Sequence, residues 1–225
     1  MDERFEFTKR GDKVFKNTLS VDTFRGLKLV GKSKILPGAY LAGGTALALR
    51  LGHRRSVDLD FFTRKKFNEQ IVVRRLKKLG KFKEKTVDWQ TVMGSLFGVS
   101  FSLFYFEYPL VGKTDQFEGV AIASLKDIAA MKLRAIGDRG TKRDFVDLFF
   151  LAKEMRLAEV FQLYHKKFGG LTEQKYHLWR ALNYFEDADK DVLPKMFRPV
   201  EWSQVKRFFN GEVKKLAAEL KLTRG

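Results

Sequence analysis

The stretch "YLAGGTALALRLGHRRSVDLDFFT", Tyr40 to Thr63, restricts what this chain can fold into more than any other. An apolar run stops at Gly43-Gly44, a short apolar segment leads to Gly52, and "SVDLDFF" then alternates. Alternation at period two is a strand signature, and it sets Val57, Leu59 and Phe61 on one face and Asp58, Asp60 and Phe62 on the other. "AYLAGG" reads as a short buried strand ending at glycine. "TALALRLG" reads as a helix with Thr45 as its N-cap and Gly52 as its stop. A strand, a glycine bend, a helix and a second strand are therefore expected in immediate succession.

Around this centre the periodicity divides the chain. A helix is expected within "TLSVDTFRGLKLV", with a break at Pro37-Gly38. "FNEQIVVRRLKKLG" has helical spacing through Ile71, Val72, Leu76 and Leu79, with Gly80 as stop. "TVDWQTVMG" and "GVSFSLFYFEYPL" are rich in β-branched and aromatic residues and suit a hairpin, and "VAIAS" adds a brief strand. From Ser124 onward the signals are helical, in "SLKDIAAMKLRAIGDRG", "TKRDFVDLFFLAKEM" and three later segments. The expected fold is α+β: a domain over 1–123 with a small mixed or antiparallel sheet flanked by helices, then a helical domain over 124–225 that contributes to the active site.

Two aspartates at alternate positions of a strand repel one another unless a cation lies between them. Paired carboxylates suit Mg²⁺ or Mn²⁺, hard cations that share their oxygen ligands with substrate phosphates. Gly43 and Gly44 complement that pair, since a backbone without side chains approaches phosphate closely and the next helix offers its amides. Thr45 is expected to add a hydroxyl to the cradle. The layout suits a nucleoside triphosphate attacked at its α-phosphate. No Gly-x-Gly-x-x-Gly or Walker lysine motif is present.

Composition narrows the partners. A formal charge of +17 and a pI near 10.0 attract polyanions, of which nucleic acid is the commonest. Arg64 to Lys85 alone holds ten Lys or Arg against two Glu, a run that either guides RNA to the site or forms a solvated helix face. There is no cysteine, which rules out disulfides and thiolate metal sites. The three histidines have no metal spacing, and His53 is expected in a solvated loop. Trp89, Trp179 and Trp202 are expected as buried anchors. The charged N-terminus and the lack of about 18 consecutive apolar residues argue against a signal peptide and a membrane span, so a cytoplasmic location is expected.

"LAGGTALALRLGHRRSVDLDFF" resembles the signature of the AbiEii/AbiGii-type nucleotidyltransferase toxins, within the superfamily related to DNA polymerase β. The matching residues are Gly43, Gly44, Thr45, Arg54, Ser56, Asp58, Leu59, Asp60, Phe61 and Phe62. A second block agrees: Lys132 and Arg139 in "MKLRAIGDRG", then Arg143, Asp144, Asp147 and Leu148 in "TKRDFVDLFFL". Lys132 stands in a helix interior amid apolar residues, so its ammonium must snorkel out or meet a negative group. Asp144 and Asp147 share a helix face behind a Thr141 cap; Asp144 fits either a site carboxylate or the third position of a capping box.

The resemblance implies a magnesium-dependent enzyme that moves NMP from an NTP to an acceptor, tRNA or another RNA, as the toxin of a toxin–antitoxin or phage-defence pair with a cognate antitoxin protein. It implies metal binding by Asp58 and Asp60, and nucleotide binding by Gly43, Gly44, Thr45, Arg54, Ser56, Arg139 and Arg143. Lys132 is expected to touch phosphate and Asp144 to assist. One departure stands out. Many superfamily members place a third metal carboxylate on a later strand, where the candidates here are Ser100, Ser102 and Glu107. A nucleotide- or RNA-binding module without turnover and a phosphotransferase on the same fold remain open as alternatives.

Overall fold

The computed structural model describes residues 6–7 and 13–219, with side chains described at 13–170 and 174–219. The chain divides into two compact units, 1–109 with 113–124 and 110–112 with 125–225.

The first unit is built on a seven-stranded mixed sheet, with the α+β character the sequence leads one to expect. Its strands are β3 (Ala39–Leu41), β4 (Leu59–Thr63), β5 (Phe82–Asp88), β6 (Thr91–Leu96), β7 (Val99–Tyr105), β8 (Asp115–Phe117) and β9 (Val120–Ile122), in the order β5-β6-β7-β4-β3-β9-β8. β4 runs parallel to β7 and antiparallel to β3, which in turn runs parallel to β9. A separate two-stranded ladder joins β1 (Glu6–Phe7) to β2 (Lys13–Val14).

Two helices cover one face of the sheet. α1 (Val21–Ser33) is capped by Ser20, whose hydroxyl accepts from the Thr23 amide at 3.1 Å. α3 (Glu69–Leu79) is capped by Asn68 and stops at Gly80 as expected. Beneath α1, Gly26 lies against Leu59, and Phe61 packs against Phe101 with ring centroids 5.6 Å apart. Leu59, Phe61, Phe101 and Leu103 are almost wholly buried, and each such side chain contributes about 1.5–3 kcal/mol of burial free energy. Because side chains alternate along a strand, Asp60, Phe62 and Ser102 project from the opposite face. The N-terminus of α2 (Gly43–Leu51) meets the sheet there, with Gly43 beside the Asp60 side chain.

Several local expectations are corrected. "TVDWQTVMG" is not one strand: a turn at Trp89-Gln90 separates β5 from β6, and Trp89 is 68% exposed rather than an anchor. Val57 precedes β4 and is 46% exposed, so the buried alternation begins at Leu59. His53 is fully buried, not solvated.

In the second unit, α4 (Leu125–Asp138), α5 (Lys142–Leu151), α6 (Leu157–Phe168), α7 (Leu171–Ala181), α8 (Glu186–Lys190) and α9 (Trp202–Glu219) pack around aromatic rings. Phe145 lies 5.1, 5.9 and 5.4 Å from the rings of Phe185, Trp202 and Phe209. Trp202 and Trp179 are half-buried rather than buried, and their indole N–H groups donate to Asp189 and to the Val213 carbonyl. A buried ion pair ties α4 to α6: Lys167 Nζ lies 2.8 Å from Asp127 Oδ1, and both side chains are wholly buried. Asp127 also accepts from the amides of Val111 and Gly112, which holds 110–112 to this unit.

Candidate active site

The glycine bend and the second aspartate meet in the first unit. β3 pairs with β4, and the Ala42 amide donates to the Asp60 carbonyl at 3.1 Å. Gly43 follows with φ +67°, a left-handed conformation that glycine adopts without strain, and α2 begins at that residue. The expected start at Thr45 is thus corrected: Ala42 occupies the N-cap position, and no side chain caps the helix. A Cβ at Gly43 would stand 3.3 Å from Asp60 Oδ2, so the missing side chain is what lets the bend lie against the carboxylate. Gly44 gives up its side-chain space to Arg54, whose guanidinium a Cβ would strike.

Asp60 is fixed from its other side. In the parallel register of β4 with β7, Asp60 stands directly opposite Ser102, whose hydroxyl donates to Asp60 Oδ1 at 2.5 Å. Of the three candidates for a third acid, Ser102 therefore occupies the neighbouring strand position, Ser100 is exposed, and Glu107 lies beyond the end of β7. Among the described residues no group of three His, Cys, Asp or Glu side chains could hold a metal ion. Asp58, half-buried, immediately precedes β4.

Thr45, Ser56 and Arg54 build the wall behind the bend. Thr45 is fully buried, its Oγ1 lies 2.8 Å from Ser56 Oγ, and it donates to the Asp58 carbonyl. Its hydroxyl thereby ties α2 to the residue that carries the first carboxylate. The Ser56 amide donates to the Thr18 carbonyl at 3.0 Å, and Arg54 Nη1 donates to the Arg55 carbonyl at 3.0 Å. Ser56 and Arg54 are 5% and 4% exposed.

The second block assembles within the second unit. Lys132 Nζ, on α4, lies 2.9 Å from Asp144 Oδ1 and 2.6 Å from Asp147 Oδ2, both on α5. Arg139 forks onto Asp144 at 2.9 and 3.1 Å, and the Thr141 hydroxyl donates to it at 2.6 Å. Burial works to raise the pKa of Asp144. The Lys132 ammonium, the Arg139 guanidinium and the Thr141 hydroxyl outweigh it and hold the carboxyl well below the usual carboxylate range. Asp144 occupies the third position after Thr141, but its carboxylate accepts from the Thr141 hydroxyl and that hydroxyl caps no backbone amide, so the capping box is not formed. Arg143 is exposed.

Sequence reasoning found the glycines and the carboxylates because their spacing is local. It did not single out Ser102 as the partner of Asp60 or find the Lys167–Asp127 pair. The first needs the β4–β7 register, and the second joins helices about 40 residues apart in the chain.

Comparison with known proteins agrees with this architecture. The family model described as nucleotidyl transferase AbiEii toxin, type IV TA system, matches residues 29–109 and 108–221. The uncharacterized protein aq_aa25 of Aquifex aeolicus (strain VF5) is 39% identical over 183 residues, 78% of this chain and 86% of that one. Among solved structures, JHP933 from Helicobacter pylori superposes with a TM-score of 0.57 at 21% identity, covering 92% of this chain and 95% of the other. MenT4, the nucleotidyltransferase toxin Rv2826c from Mycobacterium tuberculosis H37Rv, gives a TM-score of 0.55 at 17% identity over 89% and 87%. At these identities the two structures are evidence of a shared fold.

Proposed function

Because the chain belongs to the AbiEii family of nucleotidyltransferase toxins of type IV toxin–antitoxin systems, we propose that it transfers NMP from an NTP to an RNA acceptor, with Asp58 and Asp60 binding Mg²⁺ or Mn²⁺. The observation that carries this reading is the Asp60 carboxylate lying against Gly43, at the uncapped start of α2. The donor set fits a hard divalent cation: two carboxylates two residues apart, one of them facing a glycine cradle that a Cβ would crowd. When bound, the cation supplies positive charge to the triphosphate oxygens.

The protein's own groups do the rest. The amides opening α2 at Gly43 and Gly44 hold phosphate at the positive end of the helix dipole. Ser102 orients Asp60, while Thr45 fixes the backbone at Asp58 and is assigned to positioning rather than to direct phosphate contact. Arg54 and Ser56 shape the wall of the cradle. In the step itself, the acceptor hydroxyl oxygen bonds to the α-phosphorus and the bond to the bridging oxygen breaks. Pyrophosphate leaves, and the hydroxyl proton passes to solvent. The phosphate contact of Lys132, the assistance of Asp144 and the nucleotide contacts of Arg139 and Arg143 belong to this proposal. A cognate antitoxin is its expected partner.

Incubation with α- or γ-labelled NTP, Mg²⁺ and total RNA tests the reading. Transfer of α-label alone, lost in Asp58→Asn and Asp60→Asn, is the expected result. Transfer of γ-label instead would make the protein a phosphotransferase. The serine at position 102, where a third acid could stand, favours as second reading a module that binds without turnover. Nucleotide binding with no aspartate-dependent transfer would establish that alternative.

A further inference from the structure

Most of the basic run that follows the aspartates in sequence does not share their face of the sheet. α3 carries much of it and lies with α1 over the Leu59 and Leu103 side, whereas Asp60 and Ser102 project from the other. On the α1 and α3 side a groove of about 400 Å³ is lined by Arg25, Lys28, Lys32, Lys81 and Phe97, with no acidic residue in its lining.

Its cations are arranged as a track. Arg25, Lys28 and Lys32 fall at i, i+3 and i+7 of α1, so they share a helix face and span roughly 10 Å at 1.5 Å per residue. Lys81 follows the end of α3 on the opposite wall. Lys28 lies 3.5 Å from Glu118, but Arg25, Lys32 and Lys81 are exposed and meet no carboxylate among the described residues. Phe97 sits at φ +54° in the β6–β7 turn, its amide bonded to the Lys81 carbonyl, and the Arg25 guanidinium lies 4.5 Å over its ring. Beyond the groove, Lys78 near the end of α3 adds a further exposed cation.

The geometry points to this groove as a phosphate-backbone docking site for a folded RNA acceptor, on the sheet face opposite the carboxylates. An extended track of uncompensated cations matches a regularly spaced polyanion. An acceptor engaging both faces has to reach around the sheet and past a helix about 10 Å wide, a path suited to a folded polynucleotide rather than to a small molecule. The inference rests on the RNA-acceptor reading above and specifies the class of acceptor: a folded polynucleotide.

The test uses full-length protein carrying Asp58→Asn, without NTP, so that binding is read whether or not transfer occurs. A total tRNA fraction, a trinucleotide and polyglutamate are the probes, titrated over a range of salt. Arg25→Glu/Lys32→Glu/Lys81→Glu is compared with the corresponding triple Gln variant, which removes charge at these exposed positions without reversing it. The expected result is a loss of tRNA affinity of at least about tenfold, with the salt slope reduced by roughly 2 to 3, since each phosphate contact contributes close to one. In protein with Asp58 intact, KM for tRNA should rise in the same variants while the trinucleotide is unaffected. Unchanged tRNA affinity and slope in both folded variants would overturn the assignment. So would polyglutamate binding more tightly than tRNA through the same residues, which would mark a docking site for an acidic protein.

Discussion

Ser102 Oγ donates a 2.5 Å hydrogen bond to Asp60 Oδ1 across the parallel pairing of β4 with β7. One oxygen of the carboxylate is thereby committed, and the other faces Gly43. A hydrogen bond to a charged acceptor contributes about 1.5–3 kcal/mol, so Ser102→Ala frees Asp60 to rotate. We expect transfer to fall about tenfold or more, with the Mg²⁺ concentration for half-maximal rate raised and the fold retained. Rates measured with α-labelled NTP across a Mg²⁺ titration check this; an unchanged metal dependence would remove Ser102 from the positioning of Asp60.

Gly43→Ala meets two obstacles together. A φ of +67° costs an L-residue about 1–2 kcal/mol, and the new Cβ stands 3.3 Å from Asp60 Oδ2. Denaturant unfolding should show a loss of that size, and transfer should fall by more than the stability loss explains. Gly44→Ala keeps the backbone but strikes Arg54, so its effect should be relieved by Arg54→Ala. Failure of that rescue would show that Arg54 is not what closes the space.

How far the sequence carries can be read from these same residues. Gly43 and Asp60 declare themselves because a glycine bend and an alternating strand are written in a few consecutive positions. Thr45 misleads, since hydroxyl residues favour N-caps, but Gly43 can take the left-handed conformation and the helix starts two residues earlier. The Thr45 hydroxyl, freed from capping, reaches Ser56 and Asp58 instead. Ser102 is silent for another reason: only the strand order β7-β4-β3 puts it beside Asp60. The same order decides that α3 and its arginines lie behind the carboxylates, although they follow them directly in sequence.

Asp144 should give stability a measurable acid limb. Its folded pKa lies below the unfolded value of about 4, so the folded state binds fewer protons through that range. Its contribution is fully present above pH 4 and is lost as pH falls through the depressed folded value. Asp144→Asn should therefore be less stable than the parent at pH 6 and should flatten the slope of unfolding free energy below pH 4. Urea unfolding at pH 6, 4 and 3 checks this. Parallel curves for parent and variant would mean that Asp144 is not held charged by Lys132 and Arg139.

The Lys167–Asp127 pair offers the strictest test of the second unit, because it is wholly buried and its carboxylate has two roles. Lys167→Met removes the cation and strands a buried carboxylate, a loss of about 3–5 kcal/mol. Adding Asp127→Leu removes that charge too, and replacing a buried ion pair by apolar groups is often neutral. Here it should not be. The half-buried amides of Val111 and Gly112 lose a charged acceptor, and a hydrogen bond to a charged group contributes about 1.5–3 kcal/mol. The double variant should thus recover only part of the stability lost in Lys167→Met, and hydrogen exchange at Val111 and Gly112 should accelerate in the double variant more than in the single one. Full recovery with unchanged protection of those amides would show that 110–112 is held by something other than Asp127.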